Sequence, residues 1–173
     1  MLKILHRRAG VWDEDLVERA FAMRAQVMFS QMGWRFPGQN PVRDEDAFDT
    51  EDTLHFISAD DDGTVTAYGR LNPTMGPHMF SEHFSEYCHF SGVVRDPRVF
   101  EHTRYLVDQS KHDRKVWRRH RGAVEIGIAA LCAAANIDAI NWLSSLEAYT
   151  HVASVNPSTR PLGLPVPHAK DDR

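Results

Sequence analysis

Leu54-His55-Phe56-Ile57-Ser58, Asp60-Asp61-Asp62-Gly63 and Thr64-Val65-Thr66-Ala67-Tyr68 follow one another almost without a break. Two runs rich in β-branched and aromatic residues flank a turn whose Asp-Gly pair supplies the positive φ of a hairpin, so the segment predicts strand, turn, strand. Alternation past the turn puts Val65, Ala67, Gly69 and Leu71 on one face and Thr66, Tyr68 and Arg70 on the other. Arg70 is therefore expected to face a cleft or solvent.

Outward from this hairpin, Leu16, Ala20, Met23 and Val27 recur at helical spacing after the acidic start Asp13-Glu14-Asp15, which predicts an amphipathic helix ending near Gly33. Residues 34–43 hold Pro37, Gly38, Asn40 and Pro41, a loop composition that suits a mobile flap. Phe100 to Val107 reads as another strand. Gly122 to Ala135 reads as a helix with Val124, Ile128, Leu131 and Cys132 on one stripe, and Ala139 to Leu143 as a buried strand. Strands, then a helix and a strand, with a helix near the start, predict an α/β mixed sheet with helices packed on it. Residues 1–155 are expected to form one domain, and the proline-rich residues 156–173 a weakly ordered arm.

Composition narrows the function. Apolar residues make up 42% and charged residues 25% of the 173, and 24 acidic against 20 basic residues leave a charge of −4. That balance argues against a general nucleic-acid binder. Locally the sign reverses: Lys111, Arg114, Lys115, Arg118, Arg119 and Arg121 are opposed only by Asp113. Two cysteines make no disulfide framework, and the N-terminal residues contain no apolar run of signal-peptide length, so a reducing cytoplasm is expected. The most apolar stretch, 123–140, is interrupted by Glu125, Asn136 and Asp138 and is too short to insert into a bilayer.

Several residues have chemistry to offer. Asp46 and Asp49 flank Phe48 in an acidic neighbourhood that also holds Asp44, Glu45, Glu51 and Asp52. Such a segment is either a solvated acidic loop or a receptor for a cation, in which Trp34 would add a cation–π contact worth roughly 0.5 to 2 kcal/mol. Glu101 and Arg104, three apart on a strand, point to opposite faces unless the strand bulges between them. They are either a surface ion pair or, with Arg70, a base and a pair of carboxylate clamps. His78, His83, Cys88 and His89 match no zinc spacing, and no metal is expected there. Neither a glycine-rich phosphate loop nor a Gly-x-Ser-x-Gly elbow is present.

Taken in order, Arg24, Val27, Gly33-Trp34, Asp46-x-Phe48-Asp49, Arg70-x-x-Pro73-Thr74-x-Gly76-Pro77, Phe84 and Glu101-x-x-Arg104 resemble the signature of acyl-homoserine lactone synthases, the autoinducer synthases of bacterial quorum sensing. The resemblance spans roughly residues 20 to 108 and implies an acetyltransferase-like α/β/α sandwich with a cleft in the sheet. It also implies an acyltransferase joining an acyl thioester to S-adenosylmethionine, a substrate rather than a cofactor, with release of methylthioadenosine. By that likeness Arg24, Trp34, Asp46 and Asp49, together with Met28 and Phe84, bind substrate. Arg70, Glu101 and Arg104 frame the reacting groups, with Glu101 as base, and one cavity is expected to join Trp34, Asp49 and Glu101. The basic run from Lys111 to Arg121 becomes a dock for an acyl-carrier protein or for coenzyme A.

Three positions depart from the pattern. Met28 stands where the family usually has phenylalanine, with Phe29 next to it. After Trp142 the expected basic helix reads Glu147, Tyr149 and His151, and the chain stops where members continue through a further strand or so. Two rival readings follow: an amine N-acyltransferase of the same fold that stops at the amide, and a shortened relative that binds ligand without turnover.

Overall fold

A computed structural model of the chain describes residues 1–35, 38, 40–110 and 113–166. Five strands form one sheet in the order of the chain: β1 (Leu2–His6), β2 (Leu54–Ala59), β3 (Val65–Pro73), β4 (Val99–Val107) and β5 (Ala139–Trp142). Each adjacent pair is antiparallel except β4 and β5, which run parallel. The hairpin forms as expected, with Gly63 at φ +84° and Asp60 N–H donating to Thr64 O at 2.9 Å. The first strand, at the N-terminus, was not read from the sequence.

Helix α1 (Glu14–Ala25) covers one face of the sheet. Asp13 caps it by accepting from Leu16 N–H, and Leu16, Ala20 and Met23 are buried as the spacing predicts. The helix then widens into one π-helical segment, Gln26–Gln31, which the sequence pattern does not announce. Helix α3 (Arg114–Ala135), after a short α2 (Met79–Glu82), covers the opposite face, giving the α/β/α layering. Leu5, Leu16, Phe21, Met28, Ile57 and Tyr68 make the core under α1, whereas Phe56, Ala67, Leu71, Val124 and Ile128 make the core under α3.

Several expectations are corrected. Val65 belongs to the α1 side, because a register shift between Ser58 and Ala59 turns it away from Ala67 and Leu71. Helix α3 begins eight residues before Gly122: Asp113 accepts from Lys115 N–H and Val116 N–H, and His120 continues the buried stripe back from Val124. Strand β5 is an edge with only β4 beside it, so its residues are partly exposed rather than buried. After α4 (Leu146–Val155) the chain does not stand off as an arm, at least as far as it is described. Phe90 N–H donates to Leu162 O at 3.0 Å, and a Cβ on Gly163 would lie 1.9 Å from Tyr87 O. Residues 167–173 of the expected arm lie outside the described residues. Among the described residues no helix is long and apolar enough to cross a membrane.

Candidate active site

The site grows from one face of β3 and β4. Tyr68, Arg70 and Asn72 alternate onto the α1 side of β3, with Thr103 opposite Arg70 and Glu101 opposite Asn72 on β4. Between Tyr68 and Arg70 the register slips by one residue, and Arg104 takes φ +52°, a left-handed conformation costly for a side chain that is not glycine. This is the bulge required for Glu101 and Arg104 to serve one face. It turns Arg104 onto the side of Thr103, where it meets the loop that carries Asp44, Asp46 and Asp49.

Three arginines and three aspartates close on one another there. Arg24 donates to Asp44 through Nε at 3.0 Å and to both oxygens of Asp49 at 2.9 and 3.0 Å. Arg70 grips Asp46 with both terminal nitrogens at 2.7 and 2.9 Å, lies 2.8 Å from Asp49, and donates through Nε to Thr103 Oγ1 at 2.7 Å. Arg104 completes the cluster, 2.9 Å from Asp44 and 2.8 Å from Asp46. The side chains of Arg24 and Arg70 are 0% exposed, that of Arg104 11% and that of Asp46 21%, so Asp46 and Arg104 form the accessible rim.

Two expectations change here. Arg70 faces neither solvent nor an open cleft, since Asp46 and Asp49 cover it. Nor are the carboxylates a bare receptor for a cation: three guanidinium groups already balance them, because six buried charges are tolerable only when mutually paired. Burial pushes the Asp49 carboxyl up, but Arg24 and Arg70 prevail and hold it below the usual carboxylate range.

Behind the cluster, Arg24 Nη1 donates to Tyr68 Oη at 3.2 Å, which leaves the tyrosine proton for His55 Nδ1 at 2.7 Å. Burial pushes His55 down to about 4, so it is neutral at neutral pH. A cavity of about 340 Å³ opens beside this pair, walled by Trp12, Phe21, Arg43, Asp49 and His55. Of the residues expected to share a cavity, it touches Asp49 but neither Trp34 nor Glu101.

Glu101 is wholly buried, and its carboxylate accepts from Met79 N–H at 2.9 Å and Phe80 N–H at 2.8 Å, fastening α2 over the end of β4. Phe84 lies beyond it in a chain of rings: 6.4 Å from Phe80, stacked at 5.7 Å on Tyr87, and 6.4 Å from His83, which meets Phe48 edge-on at 5.7 Å. Phe48 in turn lies under the Arg70 guanidinium. Trp34 sits 47% exposed at the end of the π-helical segment, its N–H on Met28 O at 3.0 Å. Met28 and Phe29 are both buried in the core, so Met28 backs this corner of the site and offers almost no surface of its own to a ligand. Arg24, Asp46, Asp49, Arg70 and Arg104 are thus in direct contact, with Glu101 and Phe84 joined to them through Thr103, Phe80 and Phe48.

The sequence reading missed Asp44, which binds two of the arginines, and Tyr68, Thr103 and His55. Alternation had already placed Tyr68 on the Arg70 face, so the signal existed for that residue. For Asp44, one aspartate in an acidic run, nothing distinguished it from its neighbours.

A family model described as autoinducer synthase matches residues 9–157. The chain belongs to that family. Among curated autoinducer synthases, the isovaleryl-homoserine lactone synthase of Bradyrhizobium diazoefficiens is 30% identical over 100 residues, 58% of this chain and 45% of that one. The acyl-homoserine-lactone synthase of Rhizobium etli is 30% identical over 119 residues, covering 66% and 54%. The chain therefore spans about half the length of the curated relatives it matches. In fold, the coenzyme A-dependent acyl-homoserine lactone synthase BjaI, solved with S-adenosylmethionine and isopentyl-coenzyme A, superposes with a TM-score of 0.80 at 23% identity, over 97% of this chain and 77% of that one. A second coenzyme A-dependent synthase, MesI, gives 0.80 at 24% identity, covering 98% and 83%.

Proposed function

We propose that this chain makes an N-acyl-homoserine lactone from S-adenosylmethionine and an acyl thioester. The observation that carries the reading is the cluster of Arg24, Arg70 and Arg104 with Asp44, Asp46 and Asp49 at a bulge of β4, in a member of the autoinducer synthase family. The relatives' names and the ligands bound to BjaI supply the substrate class.

The amino-acid end of S-adenosylmethionine is a zwitterion, and the rim of the cluster offers one group of each sign: Arg104 for the carboxylate and Asp46 for the ammonium or sulfonium. Trp34 lies over the adenosine side, with Phe48 and Phe84 as aromatic walls. Of the four carboxylates on this face, Glu101 alone has no arginine partner among the described residues, which makes it the candidate acceptor of the amine proton. Because it is buried, the proton reaches it through a water or after a small opening of α2.

The neutral amine then attacks the thioester carbonyl, forming C–N and expelling the thiol, while strand N–H groups at the bulge meet the oxyanion. In the second step the substrate's own carboxylate oxygen attacks its γ-carbon, and the C–S bond breaks to release neutral methylthioadenosine. Anion and sulfonium annihilate in that step, so a paired, net-neutral surrounding suits it better than a surplus of negative charge. Holding amine and thioester together supplies much of the acceleration, roughly 7 to 11 kcal/mol for well-oriented pairs.

Arg114, Lys115, Arg118, Arg119 and Arg121 line the first two turns of α3, near the positive end of its dipole, and are the proposed dock for the phosphates of coenzyme A or an acidic carrier protein. Lys111, the first of that run, lies outside the described residues.

Incubation with S-adenosylmethionine and a panel of acyl thioesters, followed by mass spectrometry, tests the reading. Lactone is expected. An acyl amide that keeps its sulfonium would favour the N-acyltransferase instead, and bound S-adenosylmethionine without product would favour the non-catalytic relative.

A further inference from the structure

The ladder between β4 and β5 runs only from Val99 opposite Ala139 to His102 opposite Trp142. Beyond it β4 continues to Val107 beside β3 alone, so the sheet opens on its β5 side at the bulge that carries Arg104. On the α1 face the opening meets the arginine–aspartate cluster. On the other face it meets the corner between β4, β5 and α3.

That corner is apolar but unsealed. Phe100, Val107, Leu131 and Ile140 pack against the core under α3 and stay only partly buried. Its rim is polar: Tyr105 Oη donates to Glu125 Oε1 at 2.6 Å, and Arg121 Nε donates to Tyr105 Oη at 3.0 Å and to Glu125 Oε1 at 3.1 Å. The His102 ring lies 5.3 Å from that of Tyr105, with its Nε2 buried and without a hydrogen-bond partner. An i,i+4 arginine–glutamate pair on a helix is ordinary. A tyrosine hydroxyl turned into the pair from the neighbouring strand, beside a histidine, is not what closes an apolar corner, which phenylalanine and leucine would fill without stranding polar atoms.

The charged α1 face suits the amino-acid end of the nucleophile and repels an alkyl chain, so the acyl group has to cross the opening to the α3 face. Resting on the acyl-transfer reading above, we infer that the acyl group this chain accepts carries a hydrogen-bonding oxygen a few bonds beyond the thioester carbonyl, read by Tyr105, Glu125 and Arg121 at the rim of that corner. A plain alkyl chain strips water from these groups and returns nothing, whereas a hydroxyl restores the lost hydrogen bonds.

The test compares octanoyl, 3-hydroxyoctanoyl and 5-hydroxyoctanoyl thioesters, each on coenzyme A and on an acyl-carrier protein. At least one hydroxylated substrate is expected to exceed octanoyl by about tenfold or more in kcat/KM. Tyr105→Phe should reduce that ratio to less than about threefold while octanoyl turnover persists, and Arg121→Lys serves as a second, milder variant. Equal or better use of octanoyl overturns the inference, as does a preference untouched by both variants. Calorimetric binding of the corresponding thioether analogues separates the two levels. Preferential binding of a hydroxylated analogue with no lactone from any thioester supports the polar corner and refutes the activity. Equal binding refutes the corner whatever the turnover.

Discussion

Arg104 is the residue at which sequence, strain and function meet. A left-handed arginine costs of order 1 kcal/mol or more relative to glycine, and here its ion pairs to Asp44 and Asp46 hold it in place. Arg104→Ala keeps the strain and loses the pairs, whereas Arg104→Gly loses both. Urea denaturation is therefore expected to find the glycine variant about 1 kcal/mol more stable than the alanine variant, with neither making lactone. Equal stability would place the positive φ outside the energetics of the bulge. Arg24 is the reverse case: Arg24→Ala strands Asp44 and Asp49 inside the protein and should cost about 3 to 5 kcal/mol.

Two buried histidines set a pH limit at the same scale. Burial holds His55 and His102 near about 4, against an ordinary value of about 6.5, so the unfolded chain binds protons in the window between those values that the folded chain refuses. Stability thus rises with pH through that window and is lost as pH falls from about 6.5 toward 4, by at most roughly 3 kcal/mol for each. Thermal melts between pH 7 and 4.5 should show a falling midpoint, with a shallower fall in His55→Gln. Identical slopes for the variant and the parent chain would remove His55 as a cause.

At the scale of elements, what could be read depended on whether one periodicity governed a segment. The β2–β3 hairpin was legible because Asp62-Gly63 and the flanking alternation agree. The bulge of β4 was legible only conditionally, since Glu101 and Arg104 must slip if they are to share a face. Helix α3 was begun eight residues late because its first turns are arginine-rich, although His120 sits four before Val124 and completes the stripe; it packs inward by bonding Ser58 Oγ and Asp60. The π-helical turn at Gln26–Gln31 has no pattern of its own.

Strand β4 and helix α2 act together, because Glu101 ends one and holds the start of the other. Glu101→Gln replaces one acceptor oxygen with a donor facing an N–H, so it loosens α2 as well as removing the proposed base. Lactone formation is expected to fall roughly 10²- to 10⁴-fold with S-adenosylmethionine binding retained. Full activity would end the assigned base role. For α3, Arg118→Glu with Arg119→Glu should raise KM for carrier-bound and coenzyme A substrates in a salt-dependent way and leave a short N-acetylcysteamine thioester unaffected. An equal effect on all three donors would locate the basic turns elsewhere in function.

Across the whole molecule, the layered fold and most of the arginine–aspartate cluster were foreseen, whereas the state of that cluster was not. Asp46 and Asp49 read as free acids because a sequence shows charges without showing which of them meet; contacts between residues 24, 44, 70 and 104 exist only once the sheet has formed. The same holds for the covered Arg70 and for the segment around Leu162 that folds back onto Phe90. What results is a net-neutral site beside an opening in the sheet, with opposite chemistry on its two faces. The central claim is that one site performs both acyl transfer and ring closure. The most direct measurement follows thiol release and methylthioadenosine release in the same reaction: the account expects equal amounts of both, with lactone as the acylated product. Thiol appearing without methylthioadenosine, or neither appearing with any thioester, would contradict it.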